Sequence, residues 1–373
     1  MLPSDLESIV VSYIVGSSFE KGVEILQQCT DGIWIGGLKA LVSNCSRSDL
    51  NELWLETCSD RQLEVFKWLA QHIPITKSYV MRCFDKSCAY GHLKLIQWLS
   101  DFLQVKRHVR ISIDYSLMLA CENGHLNVAK WLHRRFQVTP QDARSDNNYA
   151  LRWACRKGHL RVVKWLTRTF GLTREDAKSD KNAAFQWACE NGHLNVAQWL
   201  CRKFHLIAED VRSCVEEAFI LACRKGHLNV AKWLTSSFGL TRKEATKDRD
   251  HALRWACTNG YLEVAKWLTQ TFGLTRQDAI TYENNAFRWA CANGYLDIAK
   301  WLTQEFDLTA QDAKSLDNSA FREACYRGHL HVAQWLTQTF GLTREDVQVT
   351  PLLSWVSRYG SPIMAQWLRT EFR

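Results

Sequence analysis

Apolar residues recur along this chain at the spacing of an α-helix, in blocks that glycines separate. Between Leu160 and Phe170 the apolar side chains fall on one face of a helix, and Gly171 follows as a residue suited to a left-handed helix end. A second segment, from Tyr149 to Lys157, follows Asn148, a residue type that favours the start of a helix. The pattern predicts a helix on each side of Gly158, of which the second is longer and amphipathic.

This pair of helices repeats every 34 residues, and seven glycines mark the period: Gly124, Gly158, Gly192, Gly226, Gly260, Gly294 and Gly328. Each lies in the block A-C-x-x-G-H-L-x-V-A-x-W-L or a close variant, and looser copies on both sides bring the array to about ten repeats. A single repeat can bury its apolar face only against its neighbours. We therefore predict an all-α fold, an α-solenoid over residues 51–373 with a helical N-terminal cap over residues 1–50.

The connector between two repeats carries its own helix-starting signals. The segment Thr173-Arg174-Glu175-Asp176 resembles a capping box, in which a threonine and an acidic residue three positions later bond each other's backbone amides. The pattern predicts a single-turn helix here and in the connectors that begin at Thr139, Thr241, Thr275, Thr309 and Thr343. Residues 207–210 lack the threonine. We expect the first helices to start at the N-cap residues Asn148, Asn182, Asp250, Asn284 and Asn318.

Cysteine, histidine and tryptophan each recur once per repeat, and each has a structural interpretation. The cysteines form no C-x-x-C pair and would lie about 8 to 10 Å apart on packed helices, so we predict buried free thiols. The histidines after the glycines are replaced by Tyr261 and Tyr295 in two repeats, which suits packing in a turn and not catalysis. The tryptophans of the second helices lie on the apolar stripe, so we assign them to the core.

No motif for catalysis, nucleotide binding or metal binding appears in the sequence. We therefore expect a protein that is not an enzyme and that has no cofactor and no metal. No apolar run is long enough to span a membrane, and Asp5 and Glu7 stand where a secretion signal would carry positive charge. These features predict a soluble intracellular protein of the cytoplasm or nucleus.

The block G-H-L-x-V-A-x-W-L resembles the second helix of an ankyrin repeat, and A-L-R-W-A-C lies where that family has its T-P-L-H-x-A-A helix. The period also fits the tetratricopeptide repeat, but that family's W-x-x-L-G-x-x-Y pattern is missing. The connectors lack the Asp-Gly turn signals of ankyrin hairpins, so we expect no β-hairpin fingers. The variant is similar to ankyrin-repeat proteins of large DNA viruses of amoebae, which implies a viral protein that acts in a host cell.

The resemblance also implies a non-catalytic scaffold that binds a partner protein along a concave face lined by the first helices. Two positions of the first helix vary between repeats, and the resemblance nominates them for partner binding, with a merely solvated face as the alternative. The position before the helix-one tryptophan holds Arg152, Gln186, Ile220, Arg254, Arg288 and Arg322; the position after the cysteine holds Arg156, Arg224 and Tyr326 among others.

Charge is distributed unevenly along the chain. Residues 1–60 contain 3 Lys+Arg and 9 Asp+Glu, whereas residues 61–373 contain 44 and 30. A basic array favours a partner with an acidic surface. Nucleic acid is a less favoured partner, because Glu122, Glu190 and Glu217 interrupt the basic positions of the first helices. We expect a monomer.

The N-terminal segment resembles the start of an F-box, whose first helix docks on the Skp-type linker of a ubiquitin ligase. The matching residues are Leu2, Pro3, Leu6, Ile9 and Tyr13. The alternative is a cap that covers the apolar end of the array. Three functions are therefore open: a protein-binding scaffold, a substrate adaptor of a Skp-cullin type ligase, and a nucleic-acid binder.

Overall fold

The computed structural model of the protein describes residues 54–55, 57–58, 63–72, 76–102, 110–247 and 252–372. Most of these residues are in α-helices, and none of them is in a β-strand. The chain divides into two compact units, residues 1–180 and 181–373, and each is described by itself. The predicted all-α class is confirmed, and the described connectors form no hairpin fingers.

Nine described helices lie wholly within the first unit. They are α1 (Leu63–His72), α2 (Lys77–Tyr90), α3 (Leu93–Phe102), α4 (Arg110–Glu122), α5 (Leu126–Phe136), α6 (Pro140–Ala143), α7 (Ser145–Arg156), α8 (Leu160–Phe170) and α9 (Arg174–Ala177).

The second unit continues the pattern, with a first helix, a second helix and a connector in most repeats. Its described helices are α10 (Ser179–Glu190), which begins just before this unit, α11 (Leu194–Phe204), α12 (Ala208–Arg224), α13 (Leu228–Phe238), α14 (Arg242–Ala245), α15 (Ala252–Thr258), α16 (Leu262–Phe272), α17 (Arg276–Ala279), α18 (Thr281–Ala292), α19 (Leu296–Glu305), α20 (Ala310–Ala313), α21 (Ser315–Tyr326), α22 (Leu330–Phe340), α23 (Val349–Tyr359) and α24 (Pro362–Glu371).

The second helices have the predicted bounds and ends. In α8 the side chains of Val162, Val163 and Leu166 are buried, as their helical spacing requires. Gly171 ends the helix in the left-handed conformation, at φ 59°, and its N–H donates to the Thr167 carbonyl. The amphipathic pattern and the glycine stop therefore fix this element from the sequence.

Consecutive repeats contact each other through a glycine and a ring. Gly294 has φ +80°, a conformation that side-chain-bearing residues rarely adopt. The ring of His329, one repeat further on, lies so close that a Cβ atom on Gly294 would stand 2.6 Å from its Nδ1. Gly226 meets the ring of Tyr261 in the same way. Histidine and tyrosine therefore serve one packing role, as the two tyrosine replacements predicted.

The predicted single-turn helices are present as α6, α9, α14, α17 and α20, each with a capping box. At α20 the Thr309 N–H donates to Asp312 Oδ2 at 2.7 Å, and the Asp312 N–H donates to Thr309 Oγ1 at 3.4 Å. The prediction is wrong at Thr343, where these hydrogen bonds form a turn and no helix. Where the threonine is missing, connector and first helix merge into the continuous helix α12.

In the second unit, the capping boxes that carry aspartate also make a contact between repeats. Each of these aspartates binds a cationic side chain of the preceding connector. Arg276 Nη2 lies 2.6 Å from Asp312 Oδ2, and Arg276 Nη1 donates to the Asp307 carbonyl at 2.9 Å. Arg242 pairs with Asp278 at 2.7 Å in the same arrangement. One carboxylate thus stabilises its own connector and ties it to the repeat before.

The predicted N-cap asparagines hold the right position but do not cap their helices. Asn148, Asn284 and Asn318 each end a turn of three left-handed residues, at φ 58° to 59°, instead of adopting the extended backbone of an N-cap. Asparagine tolerates this conformation better than most residues. The Asn284 Nδ2 donates to the Asp312 carbonyl of the next connector at 2.9 Å. Asp250 lies outside the described residues.

The structure confirms the prediction for the repeated cysteines and corrects the one for the repeated second-helix tryptophans. The cysteines are buried and unbridged, and burial raises their thiol pKa values: Cys121, Cys155, Cys189, Cys223, Cys257, Cys291 and Cys325. The second-helix tryptophans are half-buried and not enclosed: Trp98, Trp131, Trp165, Trp199, Trp233, Trp267, Trp301, Trp335 and Trp367. Their position at the edge of the apolar stripe leaves part of each ring in solvent. Trp233, for example, packs edge-on against Phe238 of its own helix, 5.7 Å between centroids.

The Asp312 carboxylate makes the connector sensitive to acid. Burial on its own would raise the pKa of Asp312, but the hydrogen bonds from Thr309 and Arg276 outweigh it and lower the pKa from its ordinary value. A carboxyl with a lower pKa in the folded chain stabilises the fold above its unfolded pKa and loses that contribution as pH falls through its folded pKa. We expect Asp312→Asn to lower the free energy of unfolding by about 1 to 2 kcal/mol at pH 7, and by less at pH 3.5.

Urea denaturation at the two pH values measures both quantities. The exposed Asp297 of α19 supplies the control, since Asp297→Asn removes a carboxylate that forms no described ion pair or capping box. An equal loss of stability for Asp312→Asn at pH 7 and pH 3.5 would contradict a role for the ionised carboxylate.

Candidate partner-binding surface

At the position before the helix-one tryptophan, most side chains are buried or half-buried and contact their own repeat, so they are not free to bind a partner. Arg152 is only 8% exposed, and its Nε and Nη2 each donate at 2.8 Å to backbone carbonyls, those of Asn147 and Asp146. Its Nη1 lies 2.5 Å from Asp180 Oδ2. These contacts hold the left-handed turn at the start of α7. Ile220 is also 8% exposed, so neither residue belongs to a binding surface.

Other residues at this position are half-buried. Arg288 repeats the contacts of Arg152, since its Nε donates to the Glu283 carbonyl at 2.7 Å and its Nη2 to the Tyr282 carbonyl at 3.3 Å. Burial lowers the pKa of the Arg288 guanidinium from its ordinary value. Gln186 and Arg322 are half-buried as well. Arg254 is half-buried too, and its guanidinium stands over aromatic rings, as that of Arg152 stands over the ring of Tyr149.

In the second unit, arginines and aromatic rings alternate across neighbouring first helices. The guanidinium of Arg224, from α12, lies 4.3 Å from the ring centroid of Trp255 on α15. Arg254 lies 5.3 Å from the same ring and 5.6 Å from the ring of Tyr282, in the left-handed turn at the start of α18. Three consecutive repeats thus contribute to one cluster, and cation–π attraction holds the guanidinium groups against the rings.

The same pattern continues towards the C-terminal helices. Arg327 lies 5.2 Å from the ring of Trp289, and the rings of Tyr326 and Trp355 are 4.5 Å apart. Trp289 and Trp355 are 38% and 39% exposed, unusually high values for so large an apolar side chain. We call these residues the arginine–aromatic strip: Arg224, Arg254, Trp255, Tyr282, Trp289, Tyr326, Arg327, Trp355, Arg358 and Tyr359.

The strip carries positive charge that the described part of the chain does not neutralise. Arg224 and Arg358 are exposed, and among the described residues neither forms an ion pair with a carboxylate. By contrast, the Arg327 guanidinium lies 3.4 Å from the Glu323 carboxylate. Lys225, which follows Arg224 in the sequence, lies 2.9 Å from Glu190. The strip therefore combines exposed aromatic surface with available guanidinium groups.

The sequence pattern predicted Arg224, Arg254 and Tyr326 of the strip, but not its tryptophans or its other arginines and tyrosines, Arg327, Arg358, Tyr282 and Tyr359. Trp255, Trp289 and Trp355 each stand five residues before the glycine of their repeat. That shared position, on the helix that varies between repeats, was the available signal. In the first unit Trp153 holds the same position, and the guanidinium of Arg156 lies 4.3 Å from its ring.

The predicted ligase-docking residues Leu2, Pro3, Leu6, Ile9 and Tyr13 lie outside the described residues, so that assignment stays a prediction. Within the described ranges, no group of three or more histidine, cysteine, aspartate or glutamate side chains is arranged to hold a metal ion. No described helix combines the length and the apolar character needed to cross a membrane.

Helix pairs that stack through glycine turns and vary on their first helices define a helical-repeat protein. A family model described as ankyrin repeats matches the chain in three copies, at residues 117–213, 203–278 and 219–312, which together cover more than half of it. The chain belongs to the ankyrin-repeat family, whose members are in general non-catalytic and mediate protein–protein interaction.

Among solved structures, an ankyrin repeat family protein from Legionella pneumophila is similar to this chain. The two share 16% sequence identity over 78% of this chain and 87% of that chain, with a TM-score of 0.32. No curated protein matches the chain.

A buried arginine that holds the fold and an exposed arginine of the strip should differ in how much their substitution lowers the stability. Arg152→Gln removes a buried charge with three partners, so we expect the free energy of unfolding to fall by about 1.5 to 3 kcal/mol. Arg224→Gln removes an exposed charge, so we expect a change within about 0.5 kcal/mol. Urea denaturation of the two variants makes the comparison. A larger loss for Arg224→Gln would show that the strip serves the fold.

Proposed function

We propose that this protein binds a partner protein through the arginine–aromatic strip of its second unit. The observation that carries the proposal is the exposure of Trp289 and Trp355 in the same strip as Arg224 and Arg358, two exposed arginines that form no ion pair among the described residues. Tryptophan, tyrosine and arginine are the residues most enriched at protein interfaces and among those that dominate binding energy.

The division of labour within each repeat supports this function. Glycine, the following ring and the cysteine are occupied by packing between repeats. The strip lies on first helices, where the side chains differ from repeat to repeat, and a variable surface on a fixed scaffold is how repeat proteins acquire partners. In this family the first helices line the concave face, so we assign the strip to that face.

We further propose that the protein acts as a monomeric scaffold inside the cell and that its partner presents an acidic surface. The basic balance of residues 61–373 supports the choice of partner. The F-box-like residues carry a second proposal, recruitment of a ligase by residues 1–50, which is independent of the strip.

Affinity capture from cells that express the protein tests the strip. The variant Arg224→Glu with Trp289→Gln should reduce the recovery of a strip-bound partner at least tenfold, because it removes a guanidinium and an exposed ring together. The matched variant Lys232→Glu with Lys300→Glu changes two exposed lysines of second helices and should recover the partner in full.

Circular dichroism should give the same helix content for both variants. Equal recovery of every captured protein by the strip variant, at unchanged helix content, would contradict the proposed function.

A further inference from the structure

Aromatic rings lie beneath several arginines of the strip. The guanidinium of Arg224 stands over the ring of Trp255, 4.3 Å from its centroid, close enough for the two groups to stack face to face. A guanidinium that stacks through its face keeps the N–H groups at its edge available, and these groups match the two oxygens of a carboxylate. The rings thus hold the arginines ready to bind carboxylates and are themselves partly covered.

The spacing of the arginines limits what can bind several of them at once. Arg224 and Arg254 both approach Trp255, at 4.3 and 5.3 Å from its centroid, so their guanidinium carbons are at most about 10 Å apart. The helix-packing distance of about 8 to 10 Å, which lies within this limit, gives the step from one repeat to the next. A polyproline II chain advances about 9 Å in three residues, so carboxylates at every third residue would match this step.

Acidic side chains on the first helices favour a protein segment over nucleic acid. Glu217 is exposed on α12, and the half-exposed Glu190 and Glu323, on α10 and α21, pair with Lys225 and Arg327 and so offset part of the local positive charge. A nucleic acid strand carries a negative charge at every nucleotide and would meet these carboxylates. A protein segment can place uncharged residues opposite them. The partly covered tryptophan faces also leave less ring surface for stacked bases.

We infer that the strip binds an acidic segment of a partner protein whose carboxylates recur about every 10 Å, one for each repeat it crosses. Arg224 and Arg254 each take one carboxylate, and the exposed rings of Trp289 and Trp355 contact the apolar residues between carboxylates. This inference rests on the proposed function and adds the chemistry and spacing of the partner.

Fluorescence anisotropy with labelled synthetic peptides tests the inference on the full chain. The probe is a 15-residue peptide of five Glu-Pro-Pro steps, which holds glutamates about 9 Å apart. One control peptide has glutamine in place of glutamate, and a second has the same five glutamates in one block. We expect the probe to bind at least tenfold tighter than the glutamine peptide and at least threefold tighter than the block peptide.

The variant Arg224→Gln with Arg254→Gln should lose at least tenfold in affinity for the probe. The matched variant Arg202→Gln with Lys300→Gln removes two exposed charges from second helices and should bind the probe like the unmodified chain. Equal affinity for the glutamate and glutamine peptides, or for the spaced and block peptides, would overturn the inference.

A 15-nucleotide oligothymidylate serves as the competing probe. Tighter binding of this oligonucleotide than of the glutamate peptide, lost in the Arg224→Gln with Arg254→Gln variant, would assign the strip to nucleic acid and overturn the inference. A cellular protein partner captured through the strip, together with no preference for the spaced glutamates, would overturn the inference and leave the proposed function standing.

Discussion

The contact between a left-handed glycine and the ring of the next repeat is the constraint on which the rest of the structure depends. The glycine ends the first helix at a φ that other residues avoid, and the missing Cβ is also the space that the ring fills. The ring can be histidine or tyrosine, as His329 and Tyr295 show, because the contact requires a flat side chain and not a particular chemistry. One residue therefore fixes the turn within a repeat and the stacking between repeats.

The connectors also use one group both within a repeat and between repeats. A capping-box carboxylate such as Asp312 binds its own threonine and the arginine of the preceding connector, so local helix capping and contact between repeats share one group. The left-handed turns that follow are held by buried arginines such as Arg152 and by asparagine contacts to the next repeat such as Asn284. We propose that variable side chains that remain on the first helices bind the partner, and in the second unit these side chains include the arginine–aromatic strip.

Much of this fold could be predicted from the sequence because its signals are local and repeated. The glycine period, the second helices and the capping boxes are each read within a few residues. The left-handed turns could not be predicted from the sequence, because asparagine favours both an N-cap and the left-handed conformation. The burial of Arg152 depends on Asp180, 28 residues away. The strip depends on contacts such as that of Arg224 with Trp255 in the next repeat, and helical periodicity alone does not reveal which half-buried tryptophans stay accessible.

A double-mutant cycle between Gly294 and His329 tests the central constraint most directly. The quantity to measure is the free energy of unfolding of Gly294→Ala, His329→Ala and the double variant. Gly273→Ala is the control, because Gly273 also has a positive φ but no atom lies within 4 Å of the place that a Cβ atom would occupy there. We expect Gly294→Ala to lower the free energy of unfolding by about 1 to 3 kcal/mol more than Gly273→Ala does, and His329→Ala to relieve this excess in the double variant. Additive losses, or equal losses at the two glycines, would contradict the claim that the ring of one repeat requires the glycine of the repeat before it.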